Sequence, residues 1–185
     1  MRCAIDAIDA VGYHRASLAE IAKRAGITKG AIFYHFANRD ELIEAVFTEV
    51  VTAGANFMLP RIQAAGTPRE QLRAYVTAFV EALGVDPKAI RVLYLLGQHH
   101  TDDQGHPRFA HDAALQEAAL AVYEDILRRG QECGDFGQFN IRSMAMMMRA
   151  TLEAIPVYLI AYDTLDLHAY RDDLITFFER ACAGR

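Results

Sequence analysis

The sequence predicts an all-α fold of about nine helices, and three observations carry that prediction. Apolar residues recur three and four positions apart through most of the chain. Valine and isoleucine nowhere alternate with polar residues for long, so no strand is expected. Glycine, proline and capping residues punctuate the pattern at helix-like intervals. The predicted helices lie near 2–11, 17–24, 28–35, 38–64, 68–83, 87–99, 107–130, 140–163 and 167–182.

The first helix ends at Gly12. Ser17-Leu18-Ala19-Glu20 opens the second as a capping box, in which the Ser17 hydroxyl accepts from the N–H three residues on and Glu20 reaches back to the N–H of Ser17. Leu18, Ile21 and Ala22 form its inner face, and Gly26 supplies the left-handed residue that a sharp exit requires. Thr28 caps the third helix, where Ile32 and Phe36 sit four apart and point inward. That leaves Lys29, Gly30, Phe33, Tyr34 and His35 toward the outside. The long fourth helix follows Asn38 and begins with Arg39. Gly66-Thr67-Pro68, Gly84-Val85-Asp86-Pro87, the Thr101 to Pro107 stretch, Gly130 to Gly137 and Thr164-Leu165-Asp166 separate the other five. Apolar stripes mark three of these: Leu72, Tyr75, Val76, Phe79 and Leu83; Met144, Met148, Leu152, Ile155, Leu159 and Tyr162; and Leu167, Tyr170, Leu174, Phe177 and Phe178.

Composition narrows the function. The chain has 185 residues, 52% apolar and 23% charged, an ordinary globular balance with enough length for a real core. Asp6 and Asp9 interrupt the start, so no export signal is expected and a cytoplasmic location follows. Cys3, Cys133 and Cys182 lie far apart with no C-x-x-C spacing, which argues against disulfides and zinc. The apolar stretch from Met144 to Tyr162 is as long as a membrane span, but Arg149, Glu153 and Pro156 interrupt it, so a buried helix is expected and no membrane partner. His99, His100, His106 and His111, with Asp102 and Asp103, invite a metal reading that their spacing does not support; Asp102-Asp103-Gln104-Gly105 has turn chemistry. No G-x-S-x-G, H-E-x-x-H or glycine-rich phosphate loop is present, so no enzyme, metal site or cofactor is expected.

Charge is uneven. Residues 15–39 carry Arg15, Lys23, Arg24, Lys29 and Arg39 against Glu20, a local plus four that leaves minus nine for the rest of a chain whose total is minus five. A basic patch on an acidic body suits a polyanion at one end. The capped helix, glycine turn and short second helix make a helix-turn-helix. Its outer residues then have a chemical logic: Lys29 supplies charge, Gly30 lets backbone approach, Phe33 can pack on a thymine methyl, and Tyr34 and His35 can donate to phosphate.

The stretch "GYHRASLAEIAKRAGITKGAIFYHFANRDELIEAVF" resembles the N-terminal DNA-binding region of the TetR (tetracycline-repressor-type) family of transcriptional regulators. The resemblance covers about the first 47 residues. It implies a helix-turn-helix domain over 1–47, a ligand-binding and dimerisation domain over 48–185, and a homodimer formed through the helices near 140–163 and 167–182. It implies base-edge and nearby backbone contacts at Thr28, Lys29, Gly30, Ala31 and Phe33, and phosphate contacts at Ser17, Tyr34, His35 and Arg39. Phe33 and Ala16 stand where the family often has tyrosine and threonine, so one or two hydroxyl contacts are expected to be missing. Met1 stands almost at the first helix, so no further arm contact is expected.

The reading is therefore a ligand-responsive repressor that binds an inverted-repeat operator in double-stranded DNA as a dimer. Tyr75, Phe79, Met147, Met148, Tyr158 and Tyr162 offer aromatic and methionine surface for a small, mostly apolar effector. The rival is a helical small-molecule-binding protein without specific DNA binding, kept open by the zero formal charge of residues 1–47. A helical enzyme using the histidine loop is the third reading.

Overall fold

The computed structural model describes residues 1–162 and 164–183, and of His111 the backbone alone. Among them are α1 (Arg2–Val11), a 3₁₀ turn (Tyr13–Arg15), α2 (Leu18–Ala25), α3 (Lys29–His35), α4 (Arg39–Gln63), α5 (Pro68–Val85), α6 (Pro87–His99), α7 (Arg108–His111), α8 (Ala113–Cys133), α9 (Ile141–Glu153), α10 (Ile155–Ala161) and α11 (Leu167–Cys182). The described residues hold no strand, only an isolated bridge between Thr101 and Pro107. The all-α prediction stands.

Two predicted helices are each split. The helix expected near 107–130 breaks at Asp112, whose extended backbone ends α7 before α8 begins. The helix expected near 140–163 breaks at Ala154, because Pro156 has no N–H to give and its ring crowds the carbonyl four residues back. Position 163 of that prediction lies outside the described residues. The 3₁₀ turn was not anticipated.

Local chemistry explains the starts. Thr67 Oγ1 accepts from the Glu70 N–H at 3.2 Å while the Glu70 carboxylate accepts from the Thr67 N–H at 3.0 Å, a reciprocal box with Pro68 at the first helical position. Asn38 and Glu41 share the start of α4, where Asn38 Oδ1 accepts from the Glu41 N–H and Glu41 accepts from the Ala37 N–H. Asp86, Asn140 and Asp166 cap α6, α9 and α11 by the same rule.

The chain forms two compact units. The first takes Met1–Ala53 and Asp86–Asp112, so the helix-turn-helix segment shares a unit with α6 and α7. Its core is Ile5, Ile8, Tyr13, Leu18, Ile21, Ile32, Leu42, Ile43, Val46, Val92 and Leu96. Exposed ion pairs, Asp6 with Lys88 and Asp9 with Arg91, dress the α1–α6 seam. Such pairs contribute little beside the apolar burial beneath them.

The second unit takes Gly54–Val85 and Ala113–Arg185. Leu72, Val76, Leu83, Tyr123, Ile126, Leu127, Met144, Met148, Leu152, Leu174 and Phe178 are its buried side chains. The stretch expected as a buried helix from Met144 to Tyr162 is buried on one side only: Met146, Met147, Val157, Tyr158, Ile160 and Tyr162 are exposed. By length and composition alone, α4 and the run from Ile141 to Ala161 could each cross a membrane. Cys182 is buried, which pushes its thiol up to about 11, whereas Cys3 and Cys133 are exposed.

Phe136 folds back over α8, and a Cβ on Gly130 would lie 2.0 Å from its ring. Gly130→Ala should therefore destabilise the protein by about 1–3 kcal/mol, the usual cost of overpacking. Gly54→Ala, within α4 where a Cβ meets nothing within 4 Å, should stabilise it by about 0.5–1 kcal/mol. Urea denaturation of both variants checks the signs; a neutral Gly130→Ala would contradict the packing account.

Candidate functional site

The helix-turn-helix is built by two short helices and the turn between them. Ser17 Oγ accepts from the Glu20 N–H at 3.2 Å and starts α2. The reciprocal half of the expected capping box is not made, because the Glu20 carboxylate takes the Arg24 guanidinium at 2.7 Å instead. Gly26 then turns the chain with φ of +67°, the left-handed region where a Cβ would be strained. Thr28 Oγ1 accepts from the Ala31 N–H at 3.1 Å and starts α3.

On α3 only Ile32 is buried, and Phe36, just beyond its end, is half-buried. Thr28, Lys29, Gly30, Ala31, Phe33, Tyr34 and His35 are all exposed, and so is Ser17. Tyr34 is 86% exposed, an expensive place for an aromatic ring in water. The Lys29 ammonium lies 5.7 Å from the centre of the Phe33 ring. A Cβ on Gly30 would come no closer than 3.9 Å to Thr28 Oγ1, so nothing inside this chain requires glycine there.

Arg39 differs from the other residues of the set. It is half-buried, its guanidinium lies 4.2 Å from the centre of the Tyr13 ring, and it donates to the carbonyls of Tyr13 and Ala16. Behind it, Tyr13 Oη lies 3.1 Å from Nδ1 of His100, which is 1% exposed. The histidine loop thus separates. His100 is core, His99 is exposed and stacks on Tyr13, and His106 closes the Asp102 turn through its N–H. The side chain of His111 lies outside what is described. Among the described residues no three His, Cys, Asp or Glu side chains converge as a metal site.

The residues expected to meet an effector differ in burial. Met148 is fully buried, Tyr75 and Phe79 are half-buried, and Met147, Tyr158 and Tyr162 are exposed. Tyr75 instead meets Tyr123, with ring centres 4.4 Å apart, and burial pushes both phenols above the usual range, Tyr123 well above it. Arg149, mostly buried, joins them electrostatically and is held by Glu153 at 2.7 Å and the Gln116 carbonyl at 3.3 Å. Neither Tyr123 nor Arg149 is among the residues the sequence points to for an effector; Arg149 enters there only as an interruption of the apolar stretch. Tyr123 was legible as part of the stripe Leu120, Tyr123, Leu127.

A capped helix, a left-handed glycine turn and a solvent-facing second helix define a protein of the helix-turn-helix class. Residues 2–46 match the family of bacterial regulatory proteins, tetR family. The HTH-type transcriptional regulator BetI of Klebsiella pneumoniae is 35% identical over 74 residues, 39% of this chain and 38% of that protein. The chain thus matches well under half the length of this curated relative. The fatty acid degradation regulator FadR of Bacillus halodurans superimposes with a TM-score of 0.82 at 22% identity, covering 96% of this chain and 95% of the other. FadR of Bacillus subtilis, solved in complex with stearoyl-CoA, does so with a TM-score of 0.80 at 21% identity, covering 96% and 94%. Residues 2–46 thus carry the tetR-family match, and the chain as a whole shares the fold of the two FadR structures.

Burial holds the His100 imidazole below its ordinary value of 6.5. It faces Tyr13 from the 3₁₀ turn, Asp40 and Glu44 from α4, and Arg108 from α7; the carboxylates oppose the shift and Arg108 adds to it. Below pH 6.5 the unfolded chain binds a proton that the native state resists, so this contribution is complete above 6.5 and is lost as pH falls beneath it. His100→Gln should flatten the loss of stability between pH 7.5 and 5.5. Equal pH slopes for the two proteins in urea denaturation would count against a buried neutral His100.

Proposed function

We propose that the protein is a ligand-responsive transcriptional repressor, and the observation that carries this reading is the exposed face of α3. Seven of the eight positions from Thr28 to His35, all but buried Ile32, face solvent, and among them are a cation, two aromatic rings, a histidine and an unobstructed glycine. Lys29 would neutralise phosphate, Thr28, Gly30, Ala31 and Phe33 would approach base edges and sugars, and Ser17, Tyr34 and His35 would hold the flanking phosphates. The segment 1–47 is the DNA-binding part of this proposal, and 48–185 the part that binds effector and dimerises.

Dimerisation is proposed through α9, α10 and α11. Met146, Met147, Val157, Tyr158, Ile160, Tyr162 and Phe177 are exposed there, more apolar surface than a lone chain leaves wet without reason. Two recognition helices would then meet half-sites about 34–36 Å apart, or a multiple of it. A cytoplasmic location goes with this role.

For the effector, the interior among α5, α8 and α9 supports the reading best. Tyr75, Phe79 and Met148 supply apolar surface, and Tyr123 and Arg149 add a hydroxyl and a cation at one place. A mostly apolar molecule with one polar end fits that chemistry. The stearoyl-CoA complex of the Bacillus subtilis protein supports a ligand of this general kind.

Selection of random duplexes on the purified protein should enrich an inverted repeat, with two chains bound per duplex in sedimentation. Lys29→Ala should bind it with a salt slope smaller by about one, since each phosphate contact contributes roughly 0.9 to that slope. Absence of any enriched duplex favours a small-molecule-binding protein instead. Apolar carboxylates and thioesters screened for release should weaken binding about 5- to 150-fold, and Phe79→Ala should need more of the same compound. A releasing compound that works equally on Phe79→Ala places the effector elsewhere.

A further inference from the structure

Arg39 is read from the sequence as a phosphate contact, and its surroundings give it other work. It is the first residue of α4, yet its guanidinium faces back onto the segment that leads into α2. Nε donates to the Ala16 carbonyl at 3.1 Å and Nη2 to the Tyr13 carbonyl. The guanidinium lies over the Tyr13 ring, with 4.2 Å from Cζ to the ring centre. These contacts grip both ends of the 3₁₀ turn at once. Ala16, fully buried, is followed directly by Ser17, the cap of α2.

Tyr13 is itself immobilised from behind. It is 7% exposed, and its hydroxyl is within hydrogen-bond distance of His100 Nδ1 at the end of α6. The His100 ring in turn lies 5.1 Å from Phe109, which stacks on Phe47 at 3.6 Å. A guanidinium spread over one ring and two carbonyls has a fixed geometry, because stacking and the two bonds each restrict its plane. The α2 start is therefore held against α4 and α6 within one unit.

We propose that Arg39 is a positioning residue: by clamping Tyr13 and Ala16 it sets the direction in which α2 leaves the 3₁₀ turn, and with it the seating of α3 on DNA. The proposal rests on the helix-turn-helix reading above, and it predicts a requirement for the planar fork and not merely for a positive charge. A lysine is a competent point charge for phosphate but cannot stack and bridge two carbonyls. The direction of α2 matters to base contacts, which need simultaneous register, more than to the diffuse attraction of phosphates.

Wild type, Arg39→Lys and Lys29→Ala are compared on the enriched inverted repeat and on a scrambled duplex of equal length, over a range of salt. Arg39→Lys should lose about tenfold or more on the repeat, the scale of a lost base contact, with its scrambled-duplex affinity and salt slope unchanged. Lys29→Ala should lose on both duplexes and lower the slope. Hydrogen exchange on the free protein supplies the independent arm: Arg39→Lys should speed exchange of amides 16–22 and leave α5, α8 and α11 as they were. Wild-type binding of the repeat by Arg39→Lys overturns the proposal, as does a parallel loss on both duplexes. Unchanged exchange at 16–22 overturns it too, even if no duplex is enriched and the DNA-binding reading itself has failed.

Discussion

Tyr13 lies where three stretches of chain that are remote in sequence meet. Its hydroxyl reaches His100 at the end of α6, its carbonyl and ring face receive Arg39 from the start of α4, and its own 3₁₀ turn runs into the cap of α2. A phenol can serve all three because its body is apolar and its edge polar, so burying it costs little once the hydroxyl is partnered. Around this residue the first unit is otherwise an ordinary aliphatic core of α1, α2, α4 and α6. The polar cluster fixes orientation where the apolar packing alone would tolerate sliding. In this way a few directional contacts bear on a helix that itself has only one buried side chain, Ile32.

The second unit divides its residues by a different logic. Tyr75, Tyr123 and Arg149 are polar groups taken out of water, and each carries a partner: the phenols lie against each other, and the guanidinium is held by Glu153 and the Gln116 carbonyl. On the outer side of α9 and α10 the opposite holds, with methionine, valine, isoleucine and tyrosine side chains left in water. A buried charge and an exposed apolar face are both unfavourable in an isolated chain. The proposed effector site and the proposed dimer face use these two features respectively. Phe177 and Phe178 mark the divide within a single helix, one 61% and the other 1% exposed.

Much of this was legible in local sequence. Capping residues, the Gly26 turn and the stripe spacing are governed by interactions within about one helical turn, so the sequence shows them without any knowledge of the fold. The same rule accounts for the misses that were avoidable. His100 continues the spacing Val92, Leu96, and its burial was written there, although the adjoining turn residues drew it into a loop. Pro156 announced the break between α9 and α10.

Other features depend on partners that no local rule reaches. Arg39 finds Tyr13 and Ala16 at separations of 26 and 23 residues, and Tyr13 finds His100 at 87. Glu20 shows a local competition instead: Arg24, four residues on, and the Ser17 N–H are both within its reach, and spacing alone does not rank them. By itself the sequence determined the helical class, the helix-turn-helix and the identity of the residues on its outer face, since each follows from periodicity and short-range hydrogen bonding. Only the tertiary structure decided which cations face solvent and which face inward, and which apolar stripes are core. Those choices depend on burial by distant segments, and desolvation of a charge or an apolar face is a property of the packed chain.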